Sequence, residues 1–107
     1  MSHAAAPLAD LVTALPPLAA QLEEFATQRQ WSQFHTRRNL VLALTGEVGE
    51  LAELLQWKGD DNVVELSSEQ LDKLAQELAD VAIYLVRIAT VCNMIEPLCE
   101  ALMMENK

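Results

Sequence analysis

Two pairs of acidic residues, Glu47 with Glu50 and Glu77 with Asp80, recur at the same spacing in this chain. The members of each pair stand three residues apart, and Glu77 follows Glu50 by 27 positions. On a helix, positions i and i+3 lie on one face, one turn apart, so each segment sets two carboxylates side by side. Both pairs are embedded in apolar runs: Gly-Glu-Val-Gly-Glu-Leu-Ala-Glu at 46–53 and Gln-Glu-Leu-Ala-Asp-Val-Ala at 76–82. Carboxylates turned toward a helical core repel one another and lose hydration. A hard cation that prefers oxygen ligands, Mg²⁺ or Mn²⁺, offsets both costs. The plain alternative is a solvated acidic helix face with no ligand. Its weakness is that the pattern occurs twice, each time inside an apolar segment.

The elements that would carry these residues are helical. The chain has 107 residues, 51% of them hydrophobic, with only three Gly and four Pro. Abundant Leu, Ala and Glu at that length give one all-α domain, a bundle of about four helices. The apolar load is large for a small helical monomer and predicts burial between subunits. A net charge of −9 argues against a nucleic-acid or anionic-membrane binder, because both need a basic surface. Cys92 and Cys99 lack metal-site or redox spacing and read as reduced core thiols. There is no basic, apolar, cleavable leader and no uncharged 18-residue apolar run, so the expectation is a cytoplasmic protein without a membrane partner.

In chain order, residues 1–16 read as a flexible or loosely docked arm with room for a short helical stretch, any helix there being limited by Pro7 and by Pro16-Pro17, ahead of a single domain over 17–107. A first helix is expected from Leu18 to about Arg29, with Leu22, Phe25 and Ala26 on its apolar stripe. Gln-Trp-Ser-Gln-Phe-His at 30–35 breaks the helical period. Trp31 and Phe34 there either plug one end of the bundle or form a wall for a flat ligand, and His35 either donates to that ligand or satisfies a loop carbonyl. Thr36 is placed to cap a second helix running to about Leu55. Leu40, Leu44, Val48, Leu51 and Leu55 give it a core stripe, and Asn39, Ala43, Glu47 and Glu50 run beside that stripe. Gly46 and Gly49 read as points of close approach for another backbone or a ligand. Arg38, near the helix start, is either a solvated charge or a phosphate contact. Trp57 and Lys58 in the following loop could contribute to a pocket, and Gly59 stops the helix. Ser67 with Gln70 is a capping-box pattern for a third helix from about Ser68 to Cys92. That helix is apolar nearly all round from Leu78 on, and Asp80, Tyr84 and Arg87 interrupt it on the side that carries Glu77. Asn93 ends it, and a Met-rich last helix starts near Glu96.

These residues resemble a known family. Trp31-x-x-Phe34-His35, Arg38-Asn39-Leu40, the 46–53 segment, Gln56-Trp57-Lys58 and Glu77-Leu78-x-Asp80-Val81-x-Ile83-Tyr84-Leu85 are similar to the MazG-like all-α nucleoside triphosphate pyrophosphohydrolases, within them the dCTP pyrophosphatase branch. The resemblance covers about residues 18–93. It implies a helical bundle assembled as a homodimer or homotetramer, with Glu47, Glu50, Glu77 and Asp80 as Mg²⁺ ligands. It also implies that Trp31, His35, Trp57 and Tyr84 surround a nucleoside triphosphate, which is hydrolysed to monophosphate and pyrophosphate. Glu50 and Glu53 are then candidates to orient or deprotonate the water. Leu102 or Met103 stands about where the family often has a lysine. Two other classes are weighed against this one. A di-iron carboxylate bundle uses Glu-x-x-His pairs, and no histidine follows these glutamates at that spacing. A non-catalytic helical interaction module with an acidic groove keeps the helices and drops the chemistry.

Overall fold

A computed structural model describes residues 8–57, 59 and 65–105. Among them it has four α-helices and no strand: α1 Leu8–Gln28, α2 Arg37–Leu55, α3 Ser68–Val91 and α4 Ile95–Glu105. A single 3₁₀ turn, Ser32–Phe34, joins α1 to α2.

The first helix starts ten residues before the expected Leu18 and runs through Pro16 and Pro17. Each proline removes a backbone donor and crowds the preceding turn. Packing outweighs that here. Leu15 and Ala19 are buried with Val86 of α3 and Cys99 of α4, and Val12, Leu22, Ile95 and Leu98 pack around them. Thus residues 8–16, read from the sequence as part of an arm, form the first half of a core helix. Residues 1–7, the rest of that arm, and Lys58 lie outside the described residues.

Local signals set the other boundaries. The Thr36 side chain accepts from the Asn39 backbone N–H at 3.1 Å and starts α2. Ser67 and Gln70 form a reciprocal capping box at α3, with bonds of 2.8 and 3.1 Å. Gln30 (φ 59°) and Asn93 (φ 57°) take left-handed conformations where α1 and α3 end. The next backbone N–H in each case folds back onto the helix, Trp31 to Ala26 at 2.8 Å and Met94 to Ala89 at 2.7 Å. The chain then bends by 118° between α3 and α4. Cys92 and Cys99 are free thiols. Among the described residues, no single helix is long and apolar enough to cross a membrane.

α2 lies along α3, while α1 and α4 cover the C-terminal half of α3. One expectation for this pair is corrected. Val48, placed on the core stripe of α2, is 46% exposed, and on α3 Leu78 and Leu85 are each 50% exposed. A Cβ added at Gly46 or Gly49 would meet nothing within 4 Å, so among the described residues neither glycine is covered from within the chain, and both stay open to a ligand or a second copy. One α3 cannot cover every apolar side of α2, nor the reverse, and these positions face outward.

Candidate active site

The α2–α3 pairing brings acidic residues together from both helices. Carboxylate oxygens of Glu47, Glu77 and Asp80 all lie within 4.8 Å of one another. Glu77 is 3% exposed. One of its oxygens, Oε1, is 3.4 Å from Lys73 Nζ, a turn away on α3. The other, Oε2, is buried and has no hydrogen-bond partner. A buried acceptor without a partner is expensive, about 1–3 kcal/mol for a neutral group and more for a charged one. Glu47 shows the same pressure. Desolvation raises its carboxyl above the ordinary range; the charges of Glu50, Asp80 and Glu77 add to that, and so does a hydrogen bond with Asp80.

This donor set fits a hard divalent cation. Oxygens bound to one Mg²⁺ at about 2.1 Å lie no more than about 4.2 Å apart, so small side-chain rotations would close the cluster around an ion. The buried Oε2 of Glu77 supplies the lone pair that a cation needs. Glu50 is exposed and stands outside the group, although it acts on Glu47 through its charge. Glu53 is exposed on α2, about one turn beyond Gly49.

Asp80 also lines a cavity of about 440 Å³ beside the cluster. Its other walls are Leu22, Phe25 and Ala26 of α1; Trp31, Phe34 and His35 of the connection; and Ile83, Tyr84 and Arg87 of α3. The left-handed turn at Gln30 swings Trp31 back against α1. Its ring meets Phe25 edge-on, with centroids 5.4 Å apart and planes at 78°. Arg29 lies over the Phe25 ring, its guanidinium carbon 4.1 Å from the centroid. Trp31 is 43% and Phe34 62% exposed, so apolar faces stay open to a flat ligand.

Arg87 holds the inner end of this cavity. It is 3% exposed, donates through its terminal nitrogen to Glu23 of α1, and donates through Nε to His35 Nδ1 at 3.2 Å. Burial lowers the His35 pKa, the Arg87 charge lowers it further, and Glu23 offsets part of this. Both of the lowering effects favour the neutral imidazole.

The remaining candidates fall elsewhere. Asn39 donates its side-chain amide to the Phe34 carbonyl at 3.1 Å and so braces the aromatic connection. Arg38 is exposed at the start of α2. Trp57 is 85% exposed and does not line the cavity. Phe25, on the expected apolar stripe of the first helix, and Glu23, off that stripe, are site neighbours that helical periodicity does not single out. The clue was available in principle: Glu23, Phe25 and Ala26 immediately precede the aromatic connection, so a helix ending there must present its last turns to it.

Residues 35–97 match the MazG nucleotide pyrophosphohydrolase domain. Over 77 residues the chain is 53% identical to dCTP pyrophosphatase 1 of Homo sapiens, which covers 70% of this chain and 45% of that protein. Over 72 residues it is 53% identical to the Bos taurus and Rattus norvegicus proteins of the same name, covering 65% of this chain and 43% and 42% of theirs. The chain thus spans less than half the length of the curated relatives it matches.

Proposed function

The chain belongs to the MazG nucleotide pyrophosphohydrolase family, and on that premise we propose that it hydrolyses a pyrimidine deoxynucleoside triphosphate, dCTP or a modified form of it, to the monophosphate and pyrophosphate. The observation that carries this reading is the buried, unpartnered Oε2 of Glu77, grouped with Glu47 and Asp80 at the mouth of an aromatic cavity. The name shared by the relatives, dCTP pyrophosphatase 1, supports the substrate class.

Glu47, Glu77 and Asp80 would hold the divalent cation, Mg²⁺ or Mn²⁺, with Glu50 turning in as a further ligand. A bound cation supplies charge neutralisation for the triphosphate, polarisation of the phosphoryl oxygens and a more acidic water. Trp31, Phe34 and Tyr84 hold the base, which leaves the phosphates extending toward the carboxylates past Asp80. Water attacks the α-phosphorus, the bond to the α–β bridging oxygen breaks, and pyrophosphate leaves with that electron pair. Glu50 or Glu53 takes or orients the proton of the water. Arg38, Trp57 and Lys58 contact the phosphates or close over the base, and Asn39 keeps the connection in place. We place the protein in the cytoplasm as a homodimer or homotetramer.

The test is pyrophosphate release from a panel of dNTPs and NTPs, with Mg²⁺ and with EDTA. Mg²⁺-dependent pyrophosphate and monophosphate, fastest from dCTP or a close analogue, is the expected result. Orthophosphate release would place the cleaved bond elsewhere. A folded protein that turns over none of these nucleotides would leave the non-catalytic interaction module in its place.

A further inference from the structure

The carboxylate cluster and the aromatic walls leave Arg87 without a role. It is buried, seven residues beyond Asp80 on α3, and takes no part in the acidic group. A purely structural arginine spends its donors on carboxylates and carbonyls. Here the guanidinium is divided between Glu23, half exposed on α1, and the ring nitrogen of His35. Nε of arginine always carries a hydrogen, so Nδ1 of His35 must present a lone pair to it. In a neutral imidazole the proton is then on Nε2, and among the described residues no protein group accepts from Nε2. His35 and Arg87 both line the cavity that Trp31 and Tyr84 wall.

We propose that Glu23, Arg87 and His35 form a relay that sets base specificity: Arg87, as a positioning residue, fixes the His35 tautomer so that Nε2–H donates to an acceptor on the base. The reading rests on the nucleotide function proposed above. A fixed neutral donor selects by edge chemistry and not by charge. Cytosine presents an unprotonated N3 on its pairing edge, whereas uracil and thymine present N3–H at that place. The first completes a hydrogen bond; the second sets donor against donor and leaves both unpaired, which discriminates more strongly than a small change of shape.

Two readouts test this on the full chain. The first is nitrogen-15 NMR of His35, with dCMP or dUMP added and no turnover required. The wild type should show an unprotonated Nδ1 and a protonated Nε2, and dCMP should shift Nε2–H more than dUMP does. The second is steady-state kinetics of Arg87→Met and Arg87→Lys with dCTP and dUTP. Both variants should mix the tautomers and raise KM for dCTP about tenfold with kcat nearly kept. Their dCTP-to-dUTP preference should fall by a similar factor. Lysine keeps the charge but replaces the planar fork, which reaches Glu23 and His35 Nδ1 through two nitrogens at once, with a single ammonium, so full rescue by lysine would point to charge alone and overturn the relay. A proton on Nδ1 in the wild type, or an unchanged preference in a folded variant, would also overturn it. Should Arg87→Met fail to fold, Glu23→Gln, at a half-exposed site, must move the preference in the same direction. A wild type that hydrolyses no nucleotide sinks the pyrophosphohydrolase reading, and the dCMP-against-dUMP comparison still decides the relay.

Discussion

Glu77 has one oxygen near Lys73 and the other buried without a partner. A carboxyl in that position is costly to the metal-free fold and useful to a cation. Glu77→Gln should therefore raise the stability of the metal-free protein by about 1 kcal/mol, read from the denaturant midpoint. The same change should remove the Mg²⁺-induced rise in melting temperature and lower kcat/KM by about 100-fold or more. A variant that stays as Mg²⁺-responsive as the wild type would exclude Glu77 as a ligand. His35 gives a pH signature. Its pKa is lowered on folding, so between its folded value and 6.5 the unfolded chain binds more protons. Its contribution is present above pH 6.5 and is lost as pH falls through the folded value. Glu47, whose pKa is raised, has the opposite sign: folding is favoured as its carboxyl protonates on acidification. The difference between wild type and His35→Gln removes the Glu47 contribution. That difference should shrink between pH 7.5 and 5.5 in urea titrations.

At the scale of elements, the connection between α1 and α2 matters more than its length suggests. It is held by the turn at Gln30, the Thr36 cap and the Asn39 bond to the Phe34 carbonyl. Thr36→Ala should cost about 1 kcal/mol of stability. Because the cap also fixes where Phe34 and His35 stand, the same variant should raise the KM for the nucleotide while kcat changes little. A loss of stability with no change in KM would make the cap a matter of α2 alone. The helix boundaries were legible at this scale wherever a local signal existed: Thr36, Ser67 with Gln70, and Asn93 each mark a boundary the structure has. The start of α1 was not legible, because Pro16 and Pro17 speak locally against a helix. What keeps it is the burial of Leu15 and Ala19 against α3 and α4, which no local pattern records.

For the whole molecule, exposed surface is the telling quantity. A folded chain of this mass exposes roughly 5,900 Å², and this one exposes 8119 Å². Its radius of gyration, 16.2 Å, exceeds the roughly 13 Å of a compact chain of the same length. Val41, Leu42 and Val48 on α2 and Leu78 and Leu85 on α3 are between 46% and 54% exposed. Together with the open space at Gly46 and Gly49, these residues give the surface a second copy would cover. The expected outcome in light scattering is a dimer or tetramer at micromolar concentration. Leu85→Glu should shift it toward monomer and lower the melting temperature. A wild type that stays monomeric would place the excess surface outside any self-assembly.

Read alone, the chain specifies the helical class, the caps at Thr36 and at Ser67 with Gln70, the end of α3 at Asn93, and the spacing of acidic residues one turn apart. These follow from backbone chemistry and helical period, which act over a few residues. Helix packing is what brings Glu47 to Glu77 and Asp80 across two helices while Glu50 stays at the solvent edge. It also decided that Arg87 reaches back to His35 and Glu23, 52 and 64 residues earlier. The physical reason is distance along the chain. Periodicity says which face of its own helix a side chain occupies, but which partner fills the space beyond that face is set by how the helices pack.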